Sequence, residues 1–147
     1  MIHAIYIINR AGIPLYYKET LDNASDITRA TLFSGVISAI QSLLKDMEIG
    51  EATEVSTKAY DILLEVAADF AVVLVLNPCN DEDKKKLRKE LAKLTTKVSF
   101  GFKNITESNL TKKEEELLND LTNDFMVKCE KILSASEATK RLRESLW

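Results

Sequence analysis

Apolar residues recur along this chain in two rhythms. At its start Ile2, Ala4, Tyr6 and Ile8 alternate with Ile5 and Ile7, which predicts a strand that is apolar on both faces. Such a strand needs cover on both sides and belongs in the middle of a sheet. Asn9-Arg-Ala-Gly12 supplies turn chemistry, with Gly12 free to take a positive φ. A second strand is expected over 13–19. Its Pro14 cannot donate to a ladder, which marks that strand as an edge.

The rhythm then changes to that of a helix. Asn23, Ser25 and Asp26 are candidate caps, and Phe33, Val36, Ile37, Ile40, Leu44 and Met47 form one stripe. Gly50 is the expected stop. Three strands follow: a mostly polar one over 51–57, suited to the opposite edge, a half-buried one over 60–66, and FAVVLVL over 70–76, apolar on both faces and therefore central. Short gaps make these three a meander, and the simplest sheet order is 2-1-5-4-3. Pro78 and Asn80 break the chain before a second helix, whose first turn carries Asp81, Glu82 and Asp83, where the helix dipole favours acids. Leu87, Leu91, Leu94 and Val98 are its buried stripe. A loop with Phe100, Gly101, Phe102 and Ile105 leads to a third helix over 111–133. That helix opens on a capping box of Thr111 and Glu114, with Leu118, Leu121, Phe125, Cys129 and Ile132 inside. Residues 1–133 read as one α+β domain, and 134–147 as a short helix or tail. The expected architecture is a five-stranded antiparallel sheet with one helix on one face and two on the other.

Composition narrows the function classes. A length of 147 residues suits one domain with a real core, and 46% hydrophobic with 29% charged residues is an ordinary globular balance. A net charge of −3 gives no electrostatic reason to expect nucleic acid. Cys79 and Cys129 lack metal-ligand spacing, and one histidine leaves too few ligands for zinc, so reduced thiols are expected. The apolar run 2–8 is too short for a signal core and has no basic flank. Phe70–Leu76 is far too short to span a bilayer. Asn104-Ile-Thr106 and Asn109-Leu-Thr111 read as chance glycosylation matches. These features point to the cytoplasm, with membranes reached only through partners.

No catalytic, metal or cofactor site can be assembled. His3 alternates with buried positions and has no nucleophile or carboxylate tied to it by a motif. The four glycines form no phosphate loop. Lys84, Lys85, Lys86, Arg88, Lys89, Lys93 and Lys97 make a basic run on the second helix. A solvated face diluted by acids explains it, and docking to an acidic partner or anionic lipid is the alternative. Lys140, Arg141 and Arg143 beside Leu142, Leu146 and Trp147 read as a frayed terminus.

The first helix carries a more pointed signal. Opposite its stripe lie Thr31, Ser34, Gly35, Ser38, Gln41 and Ser42, small or uncharged where lysine and glutamate would be usual. Gly35 costs about 1 kcal/mol relative to Ala inside a helix. Cover by the chain's own loops or a tolerated Ser-rich surface would explain this face. So would a closely approaching partner, and with the edge strand containing Glu54 and Ser56 these residues form the expected partner surface.

The order of two strands, one helix, three strands and two helices resembles the longin domain, a longin/profilin-like plan. MIHAIYIINRAGIPLYYKE looks like the opening of longin-type proteins, including small sigma chains of clathrin adaptors, and YDILLEVAADFAVVLVLN resembles the family's fourth and fifth strands. The overall look is closest to compact longin-like chains of archaea rich in small GTPases. The resemblance implies a non-enzymatic module that pairs with itself or another longin or roadblock chain. It further implies a platform for a small Ras-like GTPase in trafficking-type regulation. The other reading it allows is an adaptor or tether small subunit of a vesicle coat. No SNARE helix follows the domain, and the region after Val98 does not resemble a sigma chain closely.

Overall fold

The structure, a computed structural model, describes residues 1–20, 27–102 and 110–146. The candidate caps at 23–26, Ile105, both glycosylation asparagines and Trp147 lie outside them. The elements are β1 (Ile2–Asn9), β2 (Pro14–Glu19), α1 (Ile27–Asp46), β3 (Glu54–Ser56), β4 (Asp61–Val66), β5 (Phe70–Leu76), α2 (Asp81–Gly101) and α3 (Lys112–Leu146). The strands form one antiparallel sheet in the order β2-β1-β5-β4-β3, as the apolar pattern predicts. Pro14 sits on an edge strand, and the two strands apolar on both faces sit inside.

Each sheet face has its own core. Ile5, Ile7, Leu63, Val72, Leu74 and Leu76 pack with Leu87, Leu91, Leu94 and Val98 of α2 and with Leu118, Phe125 and Cys129 of α3. On the other face Ala4, Tyr6, Ile8, Leu64 and Val73 pack with Ala30 and Ile37 of α1. Simple alternation puts Ile2 with Ala4 on the α1 face, but Ile2 packs on the α2–α3 side. The reason is a bulge at His3: Ile2 pairs with Leu76 and Ala4 with Val75, so one extra residue on β1 flips the phase. Thr20 satisfies the carbonyls there. Its amide donates to His3 O at 2.9 Å, and its hydroxyl lies 2.8 Å from Ile2 O and 3.1 Å from His3 O. A second irregularity in the β1–β2 ladder places consecutive Leu15 and Tyr16 in the same core.

Both described helix starts follow the cap chemistry in the sequence. Asn80 accepts from the Asp83 amide at 2.8 Å. Thr111 and Glu114 exchange side-chain to backbone bonds at 3.2 Å each way. The helix ends depart from expectation. α1 closes at Glu48, not Gly50: Glu48 takes φ 58°, its amide donates to Lys45 O, and the Ile49 amide donates to Leu44 O. That bond pair is the Schellman arrangement with a glutamate in the left-handed position. α2 continues through Phe100 to Gly101, with Phe102 buried behind it. α3 does not stop near 133 but runs unbroken to Leu146. Nothing between Leu133 and Leu146 breaks a helix, since the stretch has no Gly or Pro and good helix formers at Ala135, Ala138, Lys140, Arg141 and Leu142. Every residue of 137–146 is exposed, so these turns extend past the body.

Candidate interaction surface

One side of the small-residue face of α1 turns inward. Ser34 is fully buried, and its hydroxyl has no hydrogen-bond partner among the described residues. Ser38 lies against the β1–β2 turn, donating to Arg10 O at 3.3 Å. Gly12 has φ +81°, and a Cβ there would come within 2.9 Å of Ser38 Cβ. Gln41 clamps the chain ahead of β3, its amide group donating to Ala52 O at 3.0 Å and its oxygen accepting from Ala52 N at 2.8 Å. The expectation that Ser34 presents itself to a partner is therefore corrected, while half-buried Ser38 and Gln41 are engaged within the chain and also line an open groove on this side of α1. Small residues stand there so that the chain's own turn can approach the helix. Thr31, Gly35 and Ser42 remain exposed, and a methyl added at Gly35 would meet nothing within 4 Å.

The expected apolar stripe is rotated to match. Ile37 is buried and Phe33, Ile40 and Leu44 are half-buried, with the Phe33 ring 4.6 Å from that of Tyr6. Val36 and Met47, counted as inward by spacing, are 57% and 59% exposed. They join Leu32 at 66% and Leu43 at 59% in an outward line, with Ala39 within it and Ile49 beyond. The repeat of three and four residues holds this line on one side of α1 over about 22 Å. Periodicity alone missed it because the apolar residues of α1 cover about half of its circumference, and spacing cannot say which of two stripes meets the sheet.

The edge strand β3 contributes differently from expectation. Ser56 is exposed, and its hydroxyl donates to Glu54 at 3.0 Å. Glu54 itself is engaged within the chain, 2.6 Å from Lys84 and 3.4 Å from Arg88 of α2. Lys84 also reaches buried Asp61 at 3.4 Å, and the Cys79 amide donates to Asp61 at 3.0 Å. Burial alone would raise the Asp61 carboxyl, but the Cys79 amide, the Ser56 hydroxyl and Lys84 together hold it below its usual range. Hydrogen bonding from Lys84 lowers Glu54 likewise. The backbone of β3 on the side away from β4 is the sheet's open edge.

Groups with chemical potential are otherwise tied into the fold. His3 Nε2 donates to Asn77 Oδ1 at 2.5 Å, and its ring meets Tyr60 edge-on at 4.8 Å. Burial pushes the Cys79 thiol up and the Cys129 thiol to about 12, so both stay protonated at neutral pH. Among the described residues no group of three or more His, Cys, Asp and Glu could hold a metal ion, and no helix is long and apolar enough to cross a membrane. An open groove of about 510 Å³ lies between the C-terminal half of α1 and the strand ends, with Ile8, Ile37, Val66 and Phe70 among its apolar lining and Arg10 and Lys45 among its charged residues.

No family model and no curated protein matches the sequence. Solved structures do match. The roadblock/LC7 domain from Streptomyces avermitilis superposes with a TM-score of 0.57 at 14% identity, over 70% of this chain and 87% of that one. A chain from a homology model of the full-length AP-3 complex in a stretched open conformation superposes with 0.56 at 13% identity, over 96% of this chain and 98% of that one. MglB from Myxococcus xanthus gives 0.41 at 13% identity over 52% of this chain, a level that adds nothing. Sheet order, helix placement and these two superpositions agree: the chain has the longin/roadblock-like fold.

Proposed function

We propose that the chain is a non-enzymatic interaction module that pairs with itself or with another longin or roadblock chain and serves as a platform for a small Ras-like GTPase in membrane-trafficking-type regulation. The observation that carries the reading is the outward line of Leu32, Val36, Leu43 and Met47, with Ile49 beyond, on the helix that packs on the α1 face of a sheet with an open β3 edge. A continuous apolar line of this kind costs solubility unless it is covered. A second helix laid on it, with strand addition at β3, would cover it. Thr31, Gly35 and Ser42 flank the line, and Gly35, open to solvent, would let the partner's backbone come near.

Sedimentation equilibrium tests the pairing. The native chain is expected to associate at micromolar concentration, and Val36→Glu with Leu43→Glu to leave a folded monomer. Ser38→Arg is not a clean probe, since it would disrupt the chain's own turn packing. A native monomer that recruits no second longin or roadblock chain from its source would sink the reading. The platform role predicts that a Ras-like GTPase binds the pair and not the Val36/Leu43 variant.

An adaptor or tether small subunit is the second reading. The likeness to the AP-3 chain over nearly its whole length, and a groove with apolar lining and charged residues that suits a peptide side chain, favour it. Co-purification with a large helical-solenoid subunit, not a GTPase, would establish it instead.

A further inference from the structure

The charged residues of α2 divide into two sets. Lys84 and Arg88 turn toward β3 and are held by Glu54 and Asp61. Lys85, Lys86, Lys89, Lys93 and Lys97 project outward, all exposed. Of the acids along this side, Glu82 lies 3.9 Å from Lys86, Glu90 3.3 Å from Lys93, and Asp124 on neighbouring α3 3.1 Å from Lys128, while exposed Asp81 in the first turn of α2 lines one groove with Lys85 and Lys89. Lys85, Lys89 and Lys97 have no ion-pair partner among the described residues. Their four- and eight-residue steps keep them within a third of the helix circumference over about 18 Å. One turn beyond Lys97, Phe100 is 81% exposed.

We propose that this face of α2 docks on an anionic phospholipid surface. The cations are lysines, compact charges that respond to a diffuse negative field, where paired recognition of single carboxylates favours the arginine fork. A straight helix offers them as a row that a plane can meet all at once. Phe100 stands at the end of the row, placed to enter the headgroup boundary as interfacial aromatics do. The molecule carries a net charge of −3, so attraction depends on local clusters of cations; a second exposed cluster, Lys140, Arg141 and Arg143 at the end of α3, has Arg141 matched by Glu137 at 2.8 Å. α1 lies across the sheet from α2, and pairing through it would leave the lysine row free.

Co-sedimentation of the full chain with vesicles tests the proposal, using phosphatidylcholine alone and phosphatidylcholine mixed with phosphatidylserine. The native chain partitions onto the anionic vesicles only, and less as salt rises. Replacing Lys85, Lys89 and Lys97 together with Gln lowers that partition roughly a hundredfold, about fivefold per lysine. Phe100→Ser lowers it a few-fold. Gln at Lys112, Lys113 and Lys131, an equal change in net charge made on α3, leaves it within twofold of native. Thermal unfolding of each variant confirms that the fold is kept. The proposal is overturned if the native chain ignores anionic vesicles, if the α2 triple variant binds like native, or if the α3 triple variant falls as far. Capture by polyglutamate without vesicle binding would reassign the face to an acidic protein.

Discussion

Ser34 shows what a single residue can and cannot announce. In the sequence it looks like part of a polar helix face, and in the fold it is sealed against the chain's own turn with a hydroxyl that has no partner among the described residues. A buried unpaired hydroxyl costs about 1–3 kcal/mol. Ser34→Ala is therefore expected to raise stability by about 1 kcal/mol in denaturant titration, with pairing unchanged. A loss of stability would mean that the hydroxyl is satisfied after all. Asp61 is the opposite case, a buried carboxylate with more than one donor. Both it and Glu54 have folded-state pKa values below their unfolded ones. The unfolded chain then binds more protons between the two values, so this stabilisation is complete above the ordinary carboxylate range and lost as pH falls beneath about 4. Unfolding free energies at a series of pH values should decline there, and Asp61→Asn should flatten the decline.

At the scale of elements, strands and helix starts were legible because their causes are local. Two apolar faces on β1 and β5, a proline in β2 and the capping box at Thr111 each carry their consequence in a few neighbouring residues, whereas Asn80, expected only to break the chain, also caps α2. The features that were not legible depend on what lies across the interface. The His3 bulge reassigns Ile2 to the other face, and only pairing with β5 reveals it. The rotation of α1 is decided by the approach of the β1–β2 turn to Ser38, thirty or so residues away in sequence. The end of α1 was misplaced because glycine is the usual signal, and here Glu48 takes the left-handed φ of 58° while Gly50 stands two residues on. Glu48→Gly removes that strain and is expected to add about 1 kcal/mol, seen as a rise in the unfolding midpoint of about 3 °C. An unchanged or lower midpoint would show that the glutamate side chain compensates.

For the whole molecule, the sheet divides two chemically different exteriors. The α1 side is apolar and suits another folded chain, whereas the α2 side carries a lysine row suited to a charged surface. Of the residues expected from sequence to meet a partner, Thr31, Gly35, Ser42, Glu54 and Ser56 are exposed. Ser34, Ser38, Gln41 and Glu54 work within the fold. The line that replaces them, from Leu32 to Met47, was hidden because exposed and buried apolar residues look alike in a list of letters.

The long reach of α3 has a consequence in time. Its last turns are exposed throughout, yet they prolong a helix already anchored at Phe125 and Cys129, so they need no nucleation of their own. Such a segment opens by fraying inward from its end, one hydrogen bond after another, without disturbing the core. Amide hydrogen exchange should record a slope along α3. Protection should be least near Leu146, rise steadily through Glu137, and reach the global value by Cys129. A step at one residue would instead reveal a hinge. Uniform slow exchange to the end would mean that the arm has found a partner, and its midpoint would then serve as a clock for assembly.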